Sequence, residues 1–279
     1  FTLPGDLRPA ARSHQRLLYD VLFRASAEAV RHLARDERFI GGQVGMVGVL
    51  HTWGRRLAYH PHVHYLVPGG GLTADGTWRP SRQNFLLPVK ALSRLFRAKF
   101  RDALRKADPK CLAQVPTALW SHDWVVHCQP VGQGWHALKY LAPYIFRVAI
   151  GNKRILRLSD GKVTFRYRTT DTGKLKTCTL HAQEFIRRFL QHILPRGFVK
   201  VRYYGFLCSA LRQRLAALHQ QLDALSTDPS PAQGTAVRDC QIDDDHNSLS
   251  SSKLPVLCPA CGQVMRRGTL ILPNDNGPP

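Results

Sequence analysis

Apolar residues recur at two different periods along the chain, and the two periods predict helices and strands. A spacing of three or four positions predicts amphipathic helices from residue 9 to about residue 38 and at 88–106, 181–194 and 209–224. Shorter apolar or alternating stretches predict strands at 43–52, 124–130 and 198–206, and three basic strands within 152–180 form a meander. In the helix at 181–194, the residues expected to face inward are Phe185, Ile186, Phe189, Leu190 and Ile193.

The most informative alternation lies in residues 57–71, where histidines alternate with apolar residues until a glycine run ends the pattern. Successive side chains of a strand point to opposite faces, so His62 and His64 share a face and Val63 points the other way. Imidazole is the commonest protein ligand for divalent transition metals. An isolated His-x-His pair is more often an ordinary core or surface pair, but His60 on the same face and the glycine run favour a metal site here.

The preceding strand, 43–52, offers a third ligand. It leads through Trp53, Gly54 and two arginines into the histidine strand, so the two strands are expected to pair as neighbours. His51 then lies near His62, eleven positions away. His60 and His136 are the competing candidates, and a His51 bonded only to the backbone is the structural alternative.

A helix predicted at 135–150 carries Tyr140 and Tyr144, which are four residues apart and leave the same side of a helix. Alone, such a pair usually marks the edge of a core. Beside a metal strand in a basic chain, it suggests phosphoryl transfer: a phenolate attacks phosphorus, the 3′ hydroxyl leaves, and the 5′ phosphate stays on tyrosine as an ester. Pro143 between the two tyrosines is expected to kink this helix.

Composition narrows the class of protein. The 279 residues contain 44% apolar residues, enough for a real core, and 40 Lys and Arg against 19 Asp and Glu give a formal charge of +21. Such a charge favours a nucleic-acid partner. No apolar run reaches the length of a membrane span, the N-terminus is no signal peptide, and seven scattered cysteines suit reduced thiols, so a cytoplasmic protein is expected.

Several motifs together resemble the rolling-circle transposases of the insertion-sequence-91 family, which belong to the two-tyrosine HUH (His-hydrophobic-His) endonuclease superfamily. The resemblance covers about residues 1–207. The motifs are Phe-Thr-Leu-Pro at 1–4, Leu-His-Thr-Trp-Gly at 50–54, His-Pro-His-Val-His at 60–64, Gly-Gly-Gly at 69–71, Tyr-Leu-Ala-Pro-Tyr at 140–144, Arg-Val-Ala-Ile at 147–150 and Val-Arg-Tyr-Tyr-Gly-Phe at 201–206.

This resemblance implies an α+β fold with a central antiparallel sheet flanked by helices. It implies that His62 and His64 bind Mg or Mn and that Tyr140 and Tyr144 are the nucleophiles. We expect His51 to be the third ligand of the metal ion. The implied reaction is cleavage and transfer of single-stranded DNA at transposon ends and target through 5′-phosphotyrosine, in a bacterial cytoplasm and on the nucleoid when DNA is bound. The family's cysteine-rich zinc module ahead of the catalytic domain is not found in this sequence.

The meander is the expected groove for single-stranded DNA, because basic and apolar residues alternate along its strands. The residues assigned to DNA binding are Arg147, Lys153, Arg154, Arg166 and Arg168. Phe165 is expected in the core, and Tyr167, Tyr203 and Tyr204 are candidates for stacking on bases.

Four regions are expected: a catalytic domain at 1–207, a C-terminal helix at 208–225, a disordered linker at 226–255 rich in Pro, Ser and Asp, and a tail at 256–279. The tail contains Cys258 and Cys261 in a CxxC motif. This motif is a candidate zinc site if Cys208, Cys240 or His246 completes it, and otherwise an unligated remnant.

Two other functions fit the same motifs. A rolling-circle replication initiator or a relaxase would share the metal strand and the tyrosine chemistry. A catalytically inactive derivative would bind single strands with a steep salt dependence but form no covalent adduct.

Overall fold

The chain divides into two compact units, Phe1–Val237 and Arg238–Pro279. The computed structural model describes residues 1–132, 149–169 and 172–225, together with the separate positions 137, 139, 142 and 145. All of these lie in the first unit.

Six α-helices lie in the described part of the chain, connected in places by short 3-10 turns. They are α1 (Arg8–Ser13), α2 (Gln15–Ala34), α3 (Val89–Ala107), α4 (Pro109–Ala113), α5 (Ala182–Leu190) and α6 (Arg212–Leu225). The single helix predicted from residue 9 to about 38 is wrong in one respect. It is interrupted at His14, whose φ of −128° and ψ of 53° lie outside the helical region, so α1 and α2 are separate helices.

Eight strands form three antiparallel sheets in the same residues, which confirms the α+β class. The strands are β1 (Met46–Trp53), β2 (Tyr59–Leu66), β3 (Gly70–Leu72), β4 (Trp78–Pro80), β5 (Ile155–Ser159), β6 (Lys162–Arg168), β7 (Leu175–His181) and β8 (Val201–Tyr204). The sheets have the orders β2-β1-β8, β3-β4 and β5-β6-β7.

The main core lies between the β2-β1-β8 sheet and the packed pair α2 and α3. Helix α3 contributes Phe96 and Phe100, whose rings lie edge-on to Trp124 at centroid distances of 5.0 and 5.1 Å. Burial of such large apolar rings stabilises the packing of α3 in this core.

The strand predicted at 124–130 does not form. The backbone N–H of Trp124 donates to Ser93 Oγ (2.8 Å), and that hydroxyl donates back to the Trp124 carbonyl (2.7 Å). Farther along, the Val125 carbonyl accepts from Thr2 N–H. Because the backbone groups of Trp124 bond to a side chain of α3, they are not available for a sheet ladder.

The meander β5-β6-β7 has its own small core. Phe165 is fully buried, as predicted, with Leu57, Ala149 and Ile150. Helix α5 adds Phe185, whose ring centroid is 5.8 Å from that of Phe165.

Helix α5 is otherwise less buried than its periodicity predicted. Ile186, Phe189, Leu190 and Ile193 are between 41% and 58% exposed, so only Phe185 of the five residues expected to face inward packs on the meander. The periodicity identified an apolar face correctly, but a helix buries only the part of its face that another element covers. Glu184, in the first turn of this helix, pairs with Arg187 and Arg188.

Candidate metal centre

Three histidines meet on one face of the β1–β2 pair. In the antiparallel register His51 lies directly opposite His62, and Val49 lies opposite His64. Directly opposed residues of antiparallel strands point to the same face, and so do residues two apart on one strand. His51, His62 and His64 therefore converge because of the strand register alone. His51 is 4% exposed, and the other two are partly buried.

One ring nitrogen from each of the three imidazoles lies within 4.8 Å of the others. The ring centroids are 5.5 Å apart for His51 and His62, 5.1 Å for His51 and His64, and 4.8 Å for His62 and His64. Three converging imidazoles are a donor set that suits divalent transition ions. This cluster could hold a divalent metal ion.

The tautomer of His62 suits ligation. Its Nδ1–H donates to the His60 carbonyl on the same strand, at 2.6 Å, so the lone pair of the neutral ring is on Nε2. Burial lowers the pKa of His62 to about 3. The ring is therefore neutral near pH 7, which is the form that binds metals.

His60 has a different partner and is not in the nitrogen cluster. Arg8 Nη2–H donates to His60 Nδ1 at 2.9 Å. Burial, followed by the charge of Arg8, lowers the pKa of His60. The guanidinium of Arg8 occupies the lone pair that the neutral His60 ring would otherwise offer to a metal ion. His60, one of the two alternatives to His51, therefore lies outside the cluster. His136 lies outside the described residues.

A stack of aromatic rings supports His51 from behind. Trp53 lies parallel to the imidazole, with ring centroids 4.6 Å apart and an interplanar angle of 18°. The other edge of Trp53 meets His192 at a centroid distance of 6.1 Å. A ring packed in this way restricts the rotamers of its neighbour, which lowers the entropy that ligand binding would otherwise have to remove.

His192 was not identified from the sequence. It is buried next to the turn between β1 and β2, donates from Nε2 to the Leu57 carbonyl (3.2 Å) and accepts from the Thr52 hydroxyl at Nδ1 (3.2 Å). It follows α5, 140 positions from Thr52. No motif surrounds it, and only the tertiary fold brings it to the histidine strands.

The residues assigned to the nucleophile and zinc roles, Tyr140, Tyr144, Cys258 and Cys261, lie outside the described residues, as does Arg147 of the DNA-binding set. The described chain resumes at Ala149 and Ile150, which pack against Leu57 in the turn between the histidine strands.

The other residues assigned to DNA binding are all placed. Lys153 is exposed and Arg166 is partly buried. Arg154 donates to the carbonyls of Arg166 (3.0 Å) and Arg55 (2.8 Å), and Arg168 donates to the Gly173 carbonyl (3.3 Å). Two of these arginines therefore also hold the backbone of the meander.

Comparison with known families decides the class. Residues 45–214 match the Y2_Tnp family, described as "Putative transposase". The matched segment runs from β1 to the start of α6 and includes all three clustered histidines. The chain belongs to this transposase family. The Y2_Tnp match confirms the resemblance to rolling-circle transposases, and it favours a transposase over a replication initiator or relaxase.

Curated relatives agree with the Y2_Tnp match. "Putative transposase y4qJ" of Sinorhizobium fredii is 38% identical over 298 residues, covering 100% of this chain and 74% of that protein. "Transposase for insertion sequence element IS801" of Pseudomonas savastanoi pv. phaseolicola is 31% identical over 249 residues, covering 83% of this chain and 59% of that protein. No solved structure matches this member of the Y2_Tnp family. Within the described residues, every helix is too short or too polar to cross a bilayer.

Proposed function

We propose that this transposase cuts single-stranded DNA at the ends of an insertion sequence and transfers the cut strand through a 5′-phosphotyrosine intermediate. Tyr140 and Tyr144 are the nucleophiles, and His51, His62 and His64 are the metal ligands. The observation that supports this proposal best is the β1–β2 register, which brings three imidazoles to one face. A DNA substrate of this kind would place the protein in the bacterial cytoplasm.

The chain's own residues would do most of the work. A phenolate oxygen attacks phosphorus, the bond from phosphorus to the 3′ oxygen breaks, and the leaving 3′ oxygen takes up a proton equivalent to the one that the phenol lost. The His60 carbonyl keeps His62 in the ligating tautomer, and Trp53 keeps the His51 ring in place. A divalent ion bound by the three histidines would supply polarisation of the phosphodiester and stabilisation of the charge that develops on its oxygens.

The donor set also bears on which ion is used. Magnesium prefers oxygen ligands in octahedral geometry, whereas imidazole suits transition ions. Of the two ions implied by the family resemblance, Mn²⁺ fits three histidines better than Mg²⁺ does. We therefore propose Mn²⁺ as the better cofactor.

The experiment is a covalent-adduct assay. The purified protein is incubated with labelled single-stranded DNA from an insertion-sequence end and with Mn²⁺ or Mg²⁺, and the products are run on a denaturing gel. We expect an adduct with the wild-type protein, less with Tyr140→Phe, none with Tyr140→Phe/Tyr144→Phe, and none with His62→Ala. His219→Ala, an exposed histidine on α6, is the matched control and should retain full yield.

Each assignment can fail separately. A full adduct yield in His62→Ala would reject the metal assignment, and an adduct in the double tyrosine variant would reject the nucleophiles. Salt-sensitive binding of single strands by the wild-type protein with no adduct under any metal would support the inactive, binding-only derivative instead.

A further inference from the structure

One face of the meander presents basic and hydroxyl side chains in successive rows. The register pairs Thr164 with Thr179 and Arg166 with Thr177, and opposed residues share a face. The hydroxyls of Thr164 and Thr179 are 2.9 Å apart, which places both on this side, while the neighbouring Phe165 is buried on the other side. We call this side the basic face. It comprises Arg157, Ser159, Lys162, Thr164, Arg166, Arg168, Leu175, Thr177, Thr179 and His181.

A β-bulge brings Arg157 to the basic face. Strict alternation would put Arg157 on the same side as Ile155, which pairs with Phe165 and so lies on the side opposite to the basic face. The register shifts between these two residues, so that Arg157 pairs with Thr164 instead. Bulges re-aim side chains in this way. The extra residue therefore puts a cation, Arg157, opposite Thr164, where the unshifted register would put Leu156.

Three of the cations on the basic face, Arg157, Lys162 and Arg166, have no acidic partner among the described residues. The face itself has no carboxylate. Arg157 and Lys162 are exposed. Neighbouring rows on one face of a strand are about 7 Å apart, so the positive charge extends along the sheet rather than collecting at one point.

The same face has no phenylalanine, tyrosine or tryptophan, and its single ring is the imidazole of His181. Proteins that prefer single strands stack successive bases on several aromatic side chains, whereas here Phe165 and Tyr167 alternate to the opposite side. Arginine, lysine and threonine are instead typical contacts to phosphate oxygens. A two-stranded antiparallel ribbon such as β6–β7 also fits the major groove of B-form DNA.

We propose that the basic face of the meander binds duplex DNA through its phosphates, separately from the single strand that the histidine centre would act on. The meander is fixed to the histidine hairpin by side chains that bond to backbone. Arg154 donates to the Arg55 carbonyl (2.8 Å), and Arg55 donates to the Arg168 carbonyl (3.0 Å). A duplex held there would be held at a constant position relative to β1 and β2. This inference goes beyond the proposed cleavage of single strands and needs only that the protein binds DNA.

The test measures duplex binding as a function of salt. A labelled duplex of random sequence, longer than two helical turns, is titrated with the full chain, and binding is followed by fluorescence anisotropy. The titration is repeated between about 50 and about 200 mM salt. Over this range each phosphate contact contributes about a 3.5-fold loss of affinity. We expect Arg157→Ala and Lys162→Ala each to reduce the slope of log affinity against log salt by about one, and the double variant by about two. A single strand of the same length should respond less.

Lys176→Ala is the matched control. Lys176 is an exposed lysine on the neighbouring strand β7, but it pairs with Tyr167 and so lies on the opposite side of the sheet. Its removal changes the net charge by the same amount as Lys162→Ala and should leave the slope unchanged. Circular dichroism melting curves of all variants establish that the fold is retained.

Three results would overturn the proposal: unchanged duplex slopes in the double variant, an equal reduction in Lys176→Ala, or a loss confined to single strands. None of them is the result that would refute the proposed function. An absent adduct with wild-type protein on single-stranded ends leaves the duplex titration interpretable, and a failed duplex titration leaves the adduct assay interpretable.

Discussion

Leu57, in the turn between the two histidine strands, has a backbone conformation that leucine rarely adopts. Its φ is +58°, yet its side chain is fully buried against Ala149, Ile150 and Phe165. The left-handed region costs a residue with a Cβ about 1–2 kcal/mol, a cost that glycine does not have. The burial of the leucine side chain offsets this strain, and the turn that results brings β2 back beside β1.

This balance predicts an inverted order of two substitutions. Leu57→Ala removes the buried side chain, at a cost of about 2–5 kcal/mol, and keeps the strain. Leu57→Gly removes the same packing and relieves about 1–2 kcal/mol of strain, while the freer unfolded chain costs about 0.5–1 kcal/mol. We therefore expect Leu57→Gly to be more stable than Leu57→Ala by up to about 1.5 kcal/mol, although both are less stable than the wild-type protein.

The assay is urea unfolding followed by circular dichroism, with the free energy of unfolding taken from linear extrapolation. Leu104 in α3 is the control, because it is also fully buried but has ordinary helical geometry. At Leu104 the glycine variant should be the less stable of the pair by about 1 kcal/mol. If Leu57→Gly were less stable than Leu57→Ala by a similar amount, the reasoning from backbone strain would be wrong.

Two further predictions concern the surroundings of the histidine cluster. Trp53→Leu removes the ring stacked on His51 and should weaken Mn²⁺ binding, measured by isothermal titration calorimetry. Trp53→Phe keeps an aromatic ring and should retain most of the affinity. Equal affinities in the two variants would contradict a positioning role for Trp53. Burial lowers the pKa of His192 from its ordinary value of 6.5, so below that pH the unfolded chain takes up a proton that the folded protein does not, and stability falls. His192→Gln removes this titrating group and should reduce the slope of unfolding free energy against pH below pH 6.5, by at most about 1.4 kcal/mol per pH unit. A slope equal to that of the wild-type protein would contradict this role of His192.

The convergence of the three histidines was predictable because it depends on local rules. Alternation fixed which face His62 and His64 share, and the short connection after His51 made an antiparallel neighbour the natural outcome. The structure adds only the register, in which His51 pairs directly with His62. What the sequence did not distinguish was His51 from His60, because that choice depends on Arg8, which is 52 residues away from His60.

Other errors have the same origin in tertiary contacts. The segment 124–130 has the composition of a strand, but its first backbone groups bond to Ser93 on a helix 31 residues earlier. The exposed apolar side of α5 likewise depends on what packs against the helix rather than on its own periodicity. His192 is the strongest case, since nothing near it in the sequence indicates its position beside Trp53.

The arginines of the meander show why charge in a sequence overstates the binding surface. Arg154 and Arg168 belong to the run whose alternation predicted a DNA groove, yet both donate to backbone carbonyls, and Arg55 does the same in return. A guanidinium with five donors can cap several carbonyls that no strand covers, a role that lysine with its compact charge fills less well. A basic, strand-rich segment can therefore use part of its charge to join two sheets. On the basic face, Arg157, Lys162 and Arg166 remain outside the ion pairs of the described residues, and the sequence assigned only Arg166 of these three to DNA binding.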